Sequence, residues 1–241
     1  MVPIDWPADL AGLAALQERL GRCTPEPWSP TGVPTVGASY CCAGRPSDRR
    51  QAPSASHDLG GGGHAERGWA GAVVPRLGGN DEVVVSGALY GAYQPGYLAR
   101  REGPLREAAV RRLAAPPDVL IVDAAGRDHP RRAGLALHLG AVVDVPTVGA
   151  TDRPLVAGGP IPPDRRGATS PLRIDGEVVG YWVRVVPGVR PLAVHAGWRC
   201  GPEDAVEVVL ADASGYRTPR ALRHARRAAR DARAAFPEAV P

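Results

Sequence analysis

Lysine is missing from this 241-residue chain: all 29 basic residues are arginine. That absence excludes a Walker-type phosphate loop, whose lysine must reach the β- and γ-phosphates, and it excludes any lysine nucleophile. Arginine-biased coding explains the composition as simply as function does. Cysteine is also sparse, and Cys23, Cys41, Cys42 and Cys200 form no Cys-x-x-Cys pair. A disulfide framework is therefore excluded, and reduced thiols are expected. No run approaches the 18 apolar residues of a membrane span, and residues 1–10 carry two aspartates and two prolines where a secretory leader has a basic start. A cytoplasmic location with no membrane partner is the expectation.

What is present describes a globular protein. Hydrophobic residues make up 44%, charged residues 22% and aromatics 5%, and the length suits a single domain over 1–241. Thirty glycines and 26 prolines, without a repeat period, predict irregular segments around a compact core. Residues 44–67 are polar and Gly-rich, with a run from Gly60 to Gly63, and read as a flexible loop.

Periodicity predicts a first helix over 7–20, a strand over 35–42, paired strands over 69–74 and 83–90 with a turn at 78–81, and a helix over 103–113. Val119–Asp123 is a continuous apolar run ending in a carboxylate, as in a strand buried on both faces. A helix from Pro130 to Gly140, a strand over 142–148, an Asp175-Gly176 hairpin, a strand over 192–195 and a helix over 202–211 follow. Strands and helices alternate, which predicts an α/β fold with a mixed sheet.

Charge is concentrated at the C-terminal end. Arg217, Arg220, Arg223, Arg226, Arg227, Arg230 and Arg233 face only Asp231, so the rest of the chain is slightly acidic. Residues 219–235 read as a basic helix with Ala221, Leu222, Ala225, Ala228, Ala229 and Ala232 on its apolar stripe. Its arginines are either phosphate contacts or a solvated face.

Two polar clusters sit on rigid elements. Tyr93-Gln94-Pro95-Gly96-Tyr97-Leu98-Ala99-Arg100-Arg101-Glu102-Gly103-Pro104 is a turn with two tyrosines leading to a carboxylate at a helix. Asp123-Ala124-Ala125-Gly126-Arg127-Asp128-His129-Pro130-Arg131-Arg132 places a strand-end aspartate before a glycine turn and a histidine. Carboxylates from a strand end and a helix start can share a divalent metal, with arginines nearby for phosphate.

At these residues the chain resembles the endonuclease V family, the deoxyinosine 3′ endonucleases, as a divergent member. Val145-Pro146-Thr147-Val148-Gly149, Asp175-Gly176-Glu177-Val178-Val179-Gly180 and Tyr216-Arg217-Thr218-Pro219 extend the likeness. The resemblance implies a ribonuclease H-like mixed central sheet flanked by helices, and Mg²⁺- or Mn²⁺-dependent nicking of DNA near deaminated bases, in DNA repair. It matches Glu102 and Asp123 to two metal carboxylates and His129 to a histidine assisting at phosphate. It matches Tyr93 and Pro95 to a strand-separating wedge, an aromatic being able to replace base stacking. Tyr97, Arg101 and Arg131 adjoin these as nucleic-acid contacts. DNA is the partner implied, with RNA as the other polymer, and a monomer is expected.

Three positions depart from the family pattern. Gly37 stands where the first metal aspartate is expected, Trp198 where the family has a catalytic histidine, and Asp152 where it has a lysine. Second-shell changes alone cost about 10- to 100-fold in metal affinity or activity, so reduced activity is expected. Asp48, Asp58 or Glu66 are candidate substitutes for the lost carboxylate, and His195 for the lost histidine. The alternative is a nuclease-dead relative that binds damaged or single-stranded nucleic acid without cleavage, or a paralogue kept for a protein contact.

Overall fold

A computed structural model describes residues 4–44 and 66–236. The expected loop at 44–67, with Asp48, Asp58 and the Gly60–Gly63 run, lies outside these residues except at its ends. Thirteen elements follow in chain order: α1 (Leu10–Arg22), β1 (Val36–Ala43), β2 (Glu66–Arg76), β3 (Gly79–Leu89), α2 (Leu98–Val110), β4 (Val119–Val122), α3 (Leu135–Val143), β5 (Thr147–Thr151), β6 (Thr169–Ile174), β7 (Glu177–Val183), β8 (Leu192–Ala196), α4 (Pro202–Asp212) and α5 (Arg220–Ala235).

The strands form one sheet in the order β3-β2-β1-β4-β5-β8-β7-β6. β4 runs parallel to β1 and β5, while the other pairs are antiparallel. The mixed, ribonuclease H-like sheet expected from the resemblance is thus present. All four residues of β4 are buried, because helices cover both faces of the parallel centre. Val119 and Ile121 face one way, into a core with Ala38, Val148, Val194, Leu222 and Ala225. Leu120 and Val122 face the other, against Leu105, Ala109, Leu135 and Leu139. This period of two is what a strand dictates. α5 packs its alanine stripe on β1 and β2, and close approach requires Gly71: a Cβ there would lie 2.7 Å from the Ala225 carbonyl oxygen.

Three boundaries differ from expectation for local reasons. α2 starts at Leu98 and runs through Pro104, although Gly103-Pro104 resembles a helix start. Gly103 lies in mid-helix, where the Trp6 ring occupies the space a Cβ would need. α3 begins at Leu135, since Arg132 adopts a left-handed conformation at φ 57° that no helix admits. The same helix absorbs Val142 and Val143 before a left-handed cap at Asp144, so β5 starts later, at Thr147. The hairpin forms as expected, with Asp175 and Gly176 at φ 52° and 83°.

Candidate nucleic-acid site at the carboxyl end of the parallel strands

Parallel β4 ends at Val122, and the chain leaves the sheet at Asp123, whose backbone N–H donates to the Ser39 carbonyl of β1 at 3.2 Å. Glu102 lies on α2. Arg106, one helical turn later and 2% exposed, links it to the backbone at the strand end. Its Nε and Nη2 donate to Glu102 Oε2 at 3.0 and 2.7 Å, its Nη1 to the Ser39 carbonyl at 2.9 Å, and its Nη2 to the Asp123 carbonyl at 3.4 Å. Burial opposes its charge, but Glu102, Cys41 and Asp123 outweigh that penalty and lift its pKa above the usual value. Breaking a buried pair of this kind costs about 3–5 kcal/mol. Asp123 has its own guanidinium: Arg226 Nη2, from α5, donates to Oδ1 at 3.1 Å.

The β1 register places the two β1 candidates differently against the strand end. Gly37 pairs with Leu120, well before the strand end, and a Cβ there would meet the Pro117 ring at 2.8 Å. An aspartate at 37 would therefore aim at Pro117 and not at Asp123. The β1 residue beside the strand end is Ser39, paired with Val122, fully buried, and with no hydrogen-bond partner for its Oγ among the described residues.

The turn preceding α2 is fastened from three directions. The Gly96 carbonyl accepts from Gln17 Nε2 at 3.2 Å, His129 Nε2 at 3.0 Å and Arg131 Nη2 at 3.1 Å. His129 Nδ1 accepts from the Arg131 backbone N–H at 3.1 Å, so the ring is neutral with its proton on Nε2. Burial pushes its pKa down to about 4. Arg131 also stacks over the Tyr97 ring, 4.5 Å from its centroid. His129 and Arg131 thus position the turn, while Tyr93, 64% exposed, and Pro95 project from it.

A cavity of about 310 Å³ opens between this turn and the strand end, lined by Tyr93, Gly96, Leu98, Asp123, Ala124, His129, Leu135, Thr151 and Leu155 among others. Its volume is at the lower end of the range for small-molecule sites, and its walls mix apolar side chains with Gln17, Tyr93, Asp123, His129 and Thr151.

Other sequence candidates lie elsewhere. Arg101 is 8% exposed and donates to the Gly91 carbonyl and to Glu66, which ties the α2 entry to β2. It does not face solvent as a phosphate contact would, and Glu66 is engaged with it. Trp198 turns its indole into a cluster with Leu16, Leu20 and Leu137. His195 is fully buried, with Nε2 2.8 Å from Thr151 Oγ1 and Nδ1 3.5 Å from Asp128 Oδ2, so it does not replace a histidine at a solvent-accessible site. Asp152 pairs with Arg217, which holds its carboxyl below the usual range.

Sequence reasoning missed Arg106, Ser39, Gln17 and Asp128. The Asp128 carboxylate is fully buried and accepts from the backbone N–H groups of Leu155, Val156 and Ala157 at 2.6, 2.9 and 2.7 Å, shaping one cavity wall. A glutamate and arginine four apart on one helix were the available signal for Arg106. On α5, Arg226 and Arg230 stack over Tyr40 at 5.7 and 5.5 Å, and Arg223 over Tyr216 at 4.0 Å. The basic face is thereby continuous with Asp123.

The family model described as Endonuclease V matches residues 58–227. Endonuclease V of Roseiflexus sp. (strain RS-1) is 46% identical over 133 residues, 55% of this chain and 60% of that protein, so the match spans less than two thirds of that relative. Endonuclease V of Streptomyces coelicolor is 35% identical over 240 residues, covering 96% of this chain and 95% of that one. The crystal structure of endonuclease V from Streptomyces avermitilis superposes with a TM-score of 0.78 at 30% identity, covering 96% of each chain. That of Ciona intestinalis endonuclease V, in complex with a 24mer DNA containing an inosine followed by a ribo-adenosine, shares the fold at TM-score 0.67 and 19% identity, covering 92% of this chain and 97% of that one.

Proposed function

The chain belongs to the endonuclease V family, and from that premise we propose that it acts in DNA repair on duplexes carrying deoxyinosine or a similarly deaminated base. Tyr93 and Pro95 enter the helix at the lesion, the base leaves the stack, and the cavity beside Gly96 and Asp123 receives it. The arginines of α5 hold the phosphates. One observation carries this reading: an exposed aromatic turn, fastened at Gly96 by three side chains, forms the wall of a cavity that ends at Asp123. Unstacking a base costs a few kcal/mol, and a rigid wedge with a preformed cavity offsets that cost better than a mobile one.

The reaction of the family is metal-dependent strand nicking, with Glu102 and Asp123 as the residues that match its metal carboxylates and Mg²⁺ or Mn²⁺ as the implied ion. The residues of this chain do not fit such an ion. Hard divalent cations need several oxygen ligands with uncompensated negative charge. Here each carboxylate is bonded to a guanidinium, Ser39 supplies no charge beside Asp123, and no group of three His, Cys, Asp or Glu able to hold a metal occurs among the described residues. This favours a second reading, in which the protein binds the lesion and leaves the strand intact.

One experiment addresses both. The purified chain is mixed with otherwise identical duplexes containing deoxyinosine or deoxyadenosine, with Mg²⁺ or Mn²⁺, and bound and nicked DNA are measured. Preferential engagement of deoxyinosine is expected, and equal binding of the two duplexes overturns the repair assignment. Nicking abolished by Asp123→Ala establishes the endonuclease. Stable binding without nicking establishes the second reading.

A further inference from the structure

A buried arginine is costly unless its nitrogens find acceptors, and each nitrogen of Arg106 donates to oxygen, of the Glu102 carboxylate or of the Ser39 and Asp123 carbonyls. Carboxylate and carbonyl oxygens converging on one point are the ligands that a hard cation uses. We propose that the Arg106 guanidinium is a resident cation, standing between Glu102 and Asp123 where a divalent ion would otherwise bind, so that this site takes up neither Mg²⁺ nor Mn²⁺ and engages DNA without one.

Charge and space both support this. The two carboxylates are matched by two guanidiniums, Arg106 and Arg226, which leaves the cluster close to neutral. A divalent ion brought to Glu102 would sit within a few ångströms of a positive charge that burial prevents from turning away into solvent. Arginine does not lose its proton at any accessible pH, so the obstruction is permanent. Ser39 completes the change, because the buried neighbour of the strand end is an uncharged hydroxyl. The Ser39 Oγ, without a hydrogen-bond partner among the described residues, brings no charge that would draw a metal to the strand end. The identity of the displaced cation rests on the family reading given above, but its uptake can be measured with no DNA present, so the two fail separately.

The test is titration of the full chain with Mn²⁺ alone, followed by calorimetry and by the paramagnetic resonance of free Mn²⁺, for the natural sequence, Arg106→Leu and Asp123→Asn. The natural chain is expected to show no stoichiometric site, and Arg106→Leu to gain one. Binding of a deoxyinosine duplex by the natural chain is expected to be the same in EDTA as in Mn²⁺. One Mn²⁺ per natural chain, lost in Asp123→Asn, overturns the proposal, as does a fall in duplex affinity of about tenfold or more on chelation. Should Arg106→Leu fail to fold, the natural chain and Asp123→Asn still decide the matter.

Discussion

Asp123, at the end of β4, is held by Arg226 of α5 across 3.1 Å, which joins the cavity to the basic face of the last helix. The two side chains are 19% and 22% exposed, so the pair is only partly screened, and removing its guanidinium costs more than the about 1 kcal/mol of a fully exposed pair. Arg226→Gln should therefore lower the melting temperature measurably and present an uncompensated carboxylate to DNA. Affinity should fall, and the slope of log affinity against log salt should decrease by about one phosphate contact. An unchanged salt slope would remove Arg226 from the DNA surface.

Tyr93 is exposed and makes no hydrogen bond among those described, so its role is readable in binding alone. Tyr93→Ala should lower the preference for deoxyinosine by the worth of one stacked base, about 1–3 kcal/mol, with thermal unfolding unaltered. Retained preference would show that this ring is not the wedge.

His129 acts through the Gly96 carbonyl. His129→Ala removes one of three donors to that oxygen and the acceptor of the Arg131 N–H, for an expected loss of about 1–3 kcal/mol in stability. The turn should loosen and lesion preference fall with it, read by chemical denaturation and by competitive binding. Unchanged stability would contradict the fastening described here.

Three buried histidines give a pH signature. Burial lowers His129 and His138 to about 4 and holds His195 well below its ordinary value. Each is neutral in the fold and takes up a proton near 6.5 once unfolded, so the unfolded state binds more protons between these limits. Stability should be fully present above about pH 6.5 and decline toward pH 4, by about 1.4 kcal/mol per pH unit for each histidine. Urea denaturation at pH 7 and pH 5 measures this, and equal midpoints would contradict it.

The sheet was legible in sequence wherever period and turn chemistry agreed: Val119–Val122 as a doubly buried strand, the Asp175-Gly176 hairpin, and the apolar stripe of α5. Boundaries failed where the local signal was ambiguous: Gly103-Pro104 reads as a helix start but lies inside α2, and Arg132 in a left-handed conformation delays α3. At the site, motif spacing identified Glu102, Asp123, His129 and the Tyr93 turn as one neighbourhood. It missed Arg106 because a glutamate and an arginine four apart on a helix look like an ordinary surface pair. It could not foresee the surroundings of Gly37 because a one-strand motif does not report register: Gly37 lies against Pro117, and it is Ser39 whose carbonyl accepts from the Asp123 N–H.

The most direct measurement is a fluorescence-anisotropy competition between two labelled duplexes that differ only in an inosine–thymine or adenine–thymine pair. Base-flipping recognition through the Tyr93 turn and its cavity predicts a preference for the inosine duplex of about tenfold or more, the effect of one discriminating contact of about 1.4 kcal/mol or more. Equal affinities, with the protein folded, would contradict the account.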